Sequence, residues 1–393
     1  MRRFLIAANA LRFLDSFILI APFYTVMFAE RGLTPVQIGV ALASWSLVGL
    51  VLEVPCGVLA DQHSRRWLLC GALLLRCVGF LIWIAFPGFW GFLVGLMLWG
   101  MKSATLSGAF EALIYDELKA AGHETDYARV FGQTQAARFT GVLAASLGAA
   151  AISTLAPDIG YDSLIWASVV AGVAAAGAAL LLPKAPRAVR AARRGYGAHL
   201  LQGVREAISL PGVPSLLAFI AATQAVVLAN ADYWQLFGRD VGLSKTGIAL
   251  FMAAIYGVGA AMAAGAHRFR GLSPFTLYLV LIAAGGALAL GAATYRSWSV
   301  GLVVVFVALY WLVEVNMDAR FQHALKGETR ATVASVKGFA TQAGTSVLML
   351  TFGVIAQISS YQASFFGAGL AVVLIGTGWA LASWKLRRSP SPS

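Results

Sequence analysis

Three carboxylates interrupt long apolar segments of this sequence. Asp15, Asp232 and Glu314 are the acids farthest from the ends of those segments. If the segments cross a bilayer, a charge at the centre costs roughly 2.5–3.5 kcal/mol on insertion scales, so it normally faces a partner or a water-filled cavity. A carboxyl group in a dry site can also gain and release a proton. We therefore expect these acids to face a cavity and to bind a solute or protons.

Two pairs of charged residues have helical spacing. Arg12 and Asp15 are three residues apart, and Glu314 and Asp318 are four apart, so each pair lies on one helix face. Two close carboxylates favour one of them holding a proton, which makes Glu314 and Asp318 candidates for proton exchange. Asp318 also stands near the end of its apolar segment, where an interfacial position is the alternative interpretation.

The other charges in these segments have open pairings. We expect Glu53, Arg76, Arg138 and Lys337 to be buried, together with Lys102. An arginine in such a place either pairs with an acid or extends its head group towards water. Spacing cannot say which pairs form between different segments.

The elements that position these residues are membrane-spanning helices. Of the 393 residues, 59% are hydrophobic and only 12% are charged, and the mean hydropathy is +0.77, which excludes an ordinary soluble protein. About 20 apolar residues cross a bilayer as a helix. The sequence predicts an all-α membrane protein with twelve spans, near residues 4–28, 36–59, 67–86, 89–113, 131–155, 162–182, 213–237, 246–266, 274–294, 298–319, 332–357 and 362–384.

The basic residues predict the orientation of the spans. Most of the 29 lysines and arginines alternate onto one side, and those on the opposite side are Arg31, Arg239, Lys245 and Arg296. Because basic residues are enriched in cytoplasmic loops, we expect both termini in the cytoplasm. This placement also accounts for the net charge of +12 without a nucleic-acid partner.

A basic stretch divides the chain into two blocks of six spans. We predict one bundle over residues 1–183, a cytoplasmic linker over 184–211 and a second bundle over 212–393. Residues 195–210 within the linker have the pattern of an amphipathic helix, and a plain tether is the open alternative.

A short hydrophilic turn between the second and third spans carries a recognisable motif. Gly57 is followed by Asp61 and then by Arg65 and Arg66, and Glu53-Val54-Pro55-Cys56 precede the turn. The motif resembles the loop between helices 2 and 3 of the major facilitator superfamily (MFS). The resemblance implies the MFS fold, two six-helix bundles with a substrate site near the membrane midplane between them, and secondary transport by alternating access.

The same resemblance implies roles for individual residues. Arg65 or Arg66 would pair with Asp116 or Glu117, and Asp61 would lie against the start of the eleventh span. A cytoplasmic gate would thus be formed by Gly57, Asp61, Arg65, Arg66 and Asp116. The first, fourth, seventh and tenth spans would line the central cavity. Their candidate residues for solute binding and proton coupling are Arg12, Asp15, Lys102, Asp232, Trp234, Tyr310, Glu314 and Asp318.

Three function classes follow from these observations. The first is a monomeric, proton-coupled exporter (an antiporter) of a small organic or amphipathic solute in a bacterial inner membrane, with the bilayer, the solute and protons as its partners. The second is proton-coupled (symport) or facilitated uptake of a small metabolite, and the third is a transport-inactive receptor. We expect no enzyme, cofactor or metal site, because the sequence lacks the metalloprotease, serine-elbow and nucleotide-loop patterns.

Overall fold

A computed structural model describes residues 2–183, 196–325 and 329–388, and these residues are helical apart from short connections. The helices are α1 (Arg2–Ser16), α2 (Tyr24–Glu30), α3 (Pro35–Gln62), α4 (Arg65–Ala85), α5 (Phe89–Ala120), α6 (Tyr127–Leu155), α7 (Tyr161–Leu180), α8 (Tyr196–Ser209), α9 (Val213–Ala231), α10 (Trp234–Asp240), α11 (Lys245–Gly265), α12 (Pro274–Thr294), α13 (Val300–Ala324), α14 (Thr329–Ile358) and α15 (Tyr361–Arg388).

Eleven stretches of helix in the described ranges are long and apolar enough to cross a membrane. The predicted first span, residues 4–28, is not a continuous helix, which corrects the sequence analysis. Its helix α1 ends at Ser16, and α2 begins at Tyr24. Pro22 lies in the break, and a proline disfavours helix in the residues just before it. Together α1 and α2 occupy the place of the twelfth span.

The predicted seventh span is interrupted at the corresponding place, where Asp232 and Tyr233 separate α9 from α10. After α2 and after α10 the chain turns through a glycine with positive φ, Gly32 at 90° and Gly242 at 85°. Such a φ favours glycine over any residue with a Cβ. The repetition of break, short helix and glycine turn indicates that the two halves share one design.

Backbone contacts divide the chain into two compact units. Unit 1 comprises Met1–Arg193 with Ser244–Tyr256, and unit 2 comprises Arg194–Leu243 with Gly257–Ser393. Part of α11 therefore groups with unit 1. The division into bundles at residues 183 and 212 stays a prediction. Of the two alternatives for residues 195–210, a helix is present as α8 (Tyr196–Ser209), and residues 184–195 lie outside the described ranges.

Within unit 1, α1 packs on α6 and α7, while α5 packs on α3 and α4. The buried core that they share includes Leu11, Leu73 and Phe110. Helices α4 and α5 approach closely at Gly79 and Gly95, where a Cβ on Gly79 would lie 2.8 Å from the Gly95 carbonyl oxygen. Small residues permit such close contact between membrane helices, and this contact fixes α4 and α5 against each other.

Unit 2 repeats part of this arrangement. Helix α9 packs on α14 and α15, and α12 packs on α13 and α15. Gly285 of α12 lies against Gly369 of α15, with 2.8 Å from a Cβ on Gly285 to the Gly369 carbonyl oxygen. Helix α8 packs on the beginning of α14, where Gly203 faces Thr332. Helix α1 is therefore held by α6 and α7, and α9 is held in the same way by α14 and α15.

Candidate functional site

The broken end of α1 carries the most buried charge cluster of unit 1. Asp15 Oδ1 accepts a hydrogen bond from Arg76 Nη1 at 2.7 Å and lies 2.5 Å from Lys102 Nζ. Arg76 Nη1 also donates to the backbone oxygen of Asp15 at 2.7 Å, which satisfies a carbonyl that the helix end leaves without an intrahelical donor. The exposed fractions of Asp15, Arg76 and Lys102 are 4%, 1% and 5%. One carboxylate is thus enclosed with two cations.

Arg12 lies one turn before Asp15 but does not form an ion pair with it in the described residues. Arg12 Nη2 donates to Gln135 Oε1 at 3.3 Å, and Arg138 Nε donates to the same oxygen at 2.9 Å. The guanidinium of Arg12 also lies 5.2 Å from the centre of the Phe110 ring. Sequence reasoning missed Gln135, although its position three residues before Arg138 on α6 places both on one helix face.

The buried acid of unit 2 has a different kind of environment. Gln224 Nε2 of α9 donates to Glu314 Oε1, and Tyr310 OH donates to Glu314 Oε2 at 3.3 Å. Thr341 of α14 donates in turn to Gln224 Oε1 at 3.1 Å. Glu314 is 6% exposed, and no lysine or arginine within the described ranges is in salt-bridge contact with it. Gln224 and Thr341 were not predicted, because single neutral polar residues in an apolar segment give a weak signal.

Asp318 has a partner of its own. It forms an ion pair with Lys337 of α14, whose Nζ also lies 5.4 Å from the Phe321 ring centre. Spacing had suggested that Glu314 and Asp318 share a proton. Glu314 contacts two neutral side chains, whereas Asp318 contacts a cation. Proton exchange therefore remains a hypothesis for Glu314 alone.

Two other predicted cavity residues lie at the junction of α9 and α10, Asp232 in the break and Trp234 at the start of α10. Asp232 follows the last residue of α9 and is half-buried. Trp234 is 2% exposed and stacks on Phe365 with ring centres 5.3 Å apart, while Phe306 packs against it at 6.0 Å. Trp234 is therefore enclosed in the aromatic core of unit 2.

One of the predicted ion pairs forms beside the turn between α3 and α4, at the first residue of α4. Arg65 pairs with Asp116 at the far end of α5, whereas Arg66 donates to the backbone oxygens of Leu180 and Leu182 at 3.3 and 3.5 Å. Gly57 lies within α3, and the side chain of Asp61 is outside the described part of the structure. Of the pairings left open, the structure selects Arg65 with Asp116.

The expectation of further buried charges is correct only in part. Arg76 is buried, Arg138 and Lys337 are half-buried, and Glu53 is exposed. Glu53 was expected to be buried because it lies in an apolar segment, but its side chain is on an exposed face of α3. Helix periodicity alone did not reveal this, since α3 is apolar on all its faces.

The described residues contain no group of three or more histidine, cysteine or acidic side chains placed to hold a metal ion. Cys56, Cys70 and Cys77 are buried free thiols.

The long apolar helices, their repeated packing and the buried ionisable clusters define a multi-pass, all-helical membrane protein. The chain matches the family model described as Major Facilitator Superfamily over residues 5–348, and it belongs to that superfamily. The superfamily consists of membrane transporters and not of enzymes.

Two kinds of relatives agree with this assignment. The chain is 29% identical over 177 residues to the inner membrane transport protein YajR of Escherichia coli strain K12, a match that spans 44% of this chain and 36% of that protein. Its fold is similar to that of a mutant of the nucleoside transporter NupG, with a TM-score of 0.77, 14% identity and coverage of 96% of this chain and 99% of the other. A D-xylose–proton symporter gives a TM-score of 0.71, 12% identity and coverage of 98% and 97%.

Proposed function

We propose that this protein is a secondary active transporter that moves a small organic or amphipathic solute by alternating access, coupled to protons. The observation that carries the proton coupling is the environment of Glu314, a buried carboxylate that accepts hydrogen bonds from the neutral donors Gln224 and Tyr310. A lone charge in a dry site is costly. Protonation removes that cost at Glu314 without breaking an ion pair.

Asp15 is the weaker candidate for proton exchange. Its contacts with Arg76 and Lys102 mean that protonation would leave two buried cations facing a neutral group. Removing one member of a buried ion cluster is strongly destabilising. We therefore assign the transported proton to Glu314 and a positioning role to Asp15, while Asp232 remains the third acid to be tested.

The experiment is proton flux in proteoliposomes that contain the purified protein, with a panel of cationic, neutral and anionic organic solutes. We expect solute-dependent flux in the wild type and in Glu124→Gln, which removes an exposed carboxylate, and its loss in Glu314→Gln. Loss in Asp15→Asn or Asp232→Asn with flux retained in Glu314→Gln would move the proton to another acid. Solute movement without proton flux would indicate a facilitator, and no movement of any solute would indicate a receptor.

The direction that we propose is export, with protons entering as the solute leaves. Imposing an acidic exterior should then accelerate solute exit from vesicles in which the protein has its cellular orientation. Acceleration of solute entry under the same gradient would instead establish uptake with protons.

We further propose that the ion pair of Arg65 with Asp116 stabilises the state that is closed to the cytoplasm. Arg65→Gln should raise the labelling of cavity positions by a reagent applied from the cytoplasmic side. Arg66→Gln is the matched control, because Arg66 donates to the backbone oxygens named above and, among the described residues, pairs with no acid. Equal labelling in both variants would mean that Arg65 does not stabilise the closed state and serves only to set the membrane topology.

The proposed setting is a bacterial inner membrane, with a monomeric protein and both termini in the cytoplasm. The distribution of basic residues supports the orientation. A single cysteine added at either terminus should resist an impermeant maleimide applied to intact cells, and the detergent-corrected mass should be that of one 41.4 kDa chain. Labelling of intact cells or a dimer mass would contradict these assignments.

A further inference from the structure

Unit 1 contains more buried and half-buried positive charge than its acids can balance. Arg12, Arg76, Lys102 and Arg138 lie on α1, α4, α5 and α6, and the buried carboxylate among them is Asp15. Asp15 can balance only one of its two cationic partners. A further acid on α5, Glu111, is exposed and interacts electrostatically with Arg12, so that four cations face two acids. Without a bound anion, this region therefore carries a net positive charge.

Hydrogen bonding in this region is also incomplete. Arg12 Nε, Arg76 Nε and Arg76 Nη2 are buried donors that have no hydrogen-bond partner in the described structure. A buried donor without an acceptor costs roughly 1–3 kcal/mol, and more when it is charged. A native protein retains such donors mainly where a water or a ligand can satisfy them.

Arg12 and Arg138 form the accessible part of the cluster. Both side chains are half-buried, and both donate to the single oxygen Gln135 Oε1. Phe110 lies against the Arg12 guanidinium at 5.2 Å and Phe139 against that of Arg138 at 4.4 Å. Two guanidinium groups thus converge on one weak neutral acceptor. The half-buried Phe139 ring beside them can contact the apolar part of a solute, whereas Phe110 is 2% exposed and belongs to the core.

We infer that the transported solute is an organic anion, and that Arg12 and Arg138 bind its carboxylate or phosphate group. A planar guanidinium donates two parallel hydrogen bonds to such a group. Unit 2 offers no comparable excess of positive charge in its described part, because Lys337 is paired with Asp318 and Glu314 is an acid. The inference rests on the proposed transport function and specifies its substrate class.

Binding can be tested apart from transport. Thermal unfolding of the purified full chain is followed with benzoate, benzamide and inorganic phosphate at constant ionic strength. We expect benzoate or phosphate to raise the Tm and benzamide to leave it unchanged. The half-saturating anion concentration should rise about tenfold or more in Arg12→Gln and Arg138→Gln, since each loses a charge-assisted contact. Stabilisation by benzoate alone indicates a carboxylate, and stabilisation by phosphate alone a phosphate group.

Arg129→Gln is the matched control, because Arg129 is on the same helix as Arg138, is exposed and pairs with Asp126 at 3.1 Å. Its anion response should equal that of the wild type. Arg138→Lys retains the charge without the planar fork and should weaken binding less than Arg138→Gln does. The Tm without ligand reports directly whether each variant folds.

Equal stabilisation by benzamide, no anion response, or an unchanged response in both glutamine variants would overturn the inference. These outcomes differ from a failure of the transport proposal. Anion binding without flux of any solute contradicts transport alone, whereas flux of neutral or cationic solutes without anion binding contradicts only the anionic substrate.

Discussion

The acids Asp15 and Glu314 are almost equally buried, but the partners of Asp15 are charged and those of Glu314 are neutral. Asp15, in unit 1, is 4% exposed and contacts two cations, whereas Glu314, in unit 2, is 6% exposed and accepts hydrogen bonds from an amide and a hydroxyl. Burial alone would assign both the same role. On this difference in partner charge rests our proposal that Asp15 holds helices together and that Glu314 exchanges a proton.

The largest stability effect is expected for Asp15→Asn. The amide leaves Arg76 and Lys102 as buried cations that face each other, and breaking a buried ion cluster in this way typically costs about 3–5 kcal/mol. Unfolding in detergent micelles with increasing dodecyl sulfate measures the change.

Asp318→Asn is the control for this variant, because the pair of Asp318 with Lys337 is more exposed and should contribute much less. In Asp15→Asn combined with Lys102→Met, part of the lost stability should return, since one of the two uncompensated cations is removed. A stability loss equal to that of Asp318→Asn would contradict the role assigned to Asp15.

A smaller loss is expected for Gln224→Leu. Gln224 donates to Glu314 and accepts from Thr341, so it links α9 with α13 and α14. Leucine has a similar volume but leaves the Glu314 oxygen and the Thr341 hydroxyl without this partner, which should cost about 1–3 kcal/mol. Thr341→Val, which removes only the outer hydrogen bond, should cost less. Equal losses in the two variants would mean that the contact with Glu314 contributes nothing.

The sequence predicted the class of fold and most of the charged residues, but not how the charges pair. Hydropathy is a property of single segments, so most of the spans could be predicted, whereas their orientation stays a prediction from the basic residues. Pairing depends on which helices are neighbours, and the contacts of α1 with α6 and α7 are not encoded in local spacing. Arg12 and Asp15 share a helix face, yet Asp15 pairs with two other helices and Arg12 with Gln135.

The breaks after α1 and α9 show a second limit of sequence reasoning. The first break lies in an apolar segment and the second is only two residues long, Asp232 and Tyr233, so a hydropathy window of about 20 residues does not detect either of them. Pro22 was a local signal for the first break, whereas the second, at Asp232, has no proline. The second break can be recognised from Gly32 and Gly242, which hold equivalent positions, only when the two halves of the chain are compared.

Tyr310→Phe tests the weaker hydrogen bond to Glu314. The Tyr310 OH lies 3.3 Å from Glu314 Oε2, and phenylalanine keeps the ring that stacks on Phe306. Loss of one hydrogen bond to a charged group at this distance should cost about 1 kcal/mol. Because the donor stabilises the charged form of Glu314, its removal should shift the pH dependence of proton flux towards alkaline values. An unchanged profile would place the titrating group elsewhere.

The smallest stability effect is expected for Glu314→Gln, although this variant should lose proton coupling. The glutamine oxygen can accept from Gln224, and its amide can donate to the Tyr310 hydroxyl, which rotates to accept. The substitution also removes a buried charge whose hydrogen-bond donors are neutral, so the free energy of unfolding should change by less than about 1 kcal/mol or rise. Asp15→Asn is the same chemical change at nearly equal burial. The loss in the free energy of unfolding should therefore be severalfold larger for Asp15→Asn than for Glu314→Gln. If Glu314→Gln were as destabilising as Asp15→Asn, Glu314 would be a structural anion with a cation that approaches it in the folded protein, and the distinction between the two acids would fail.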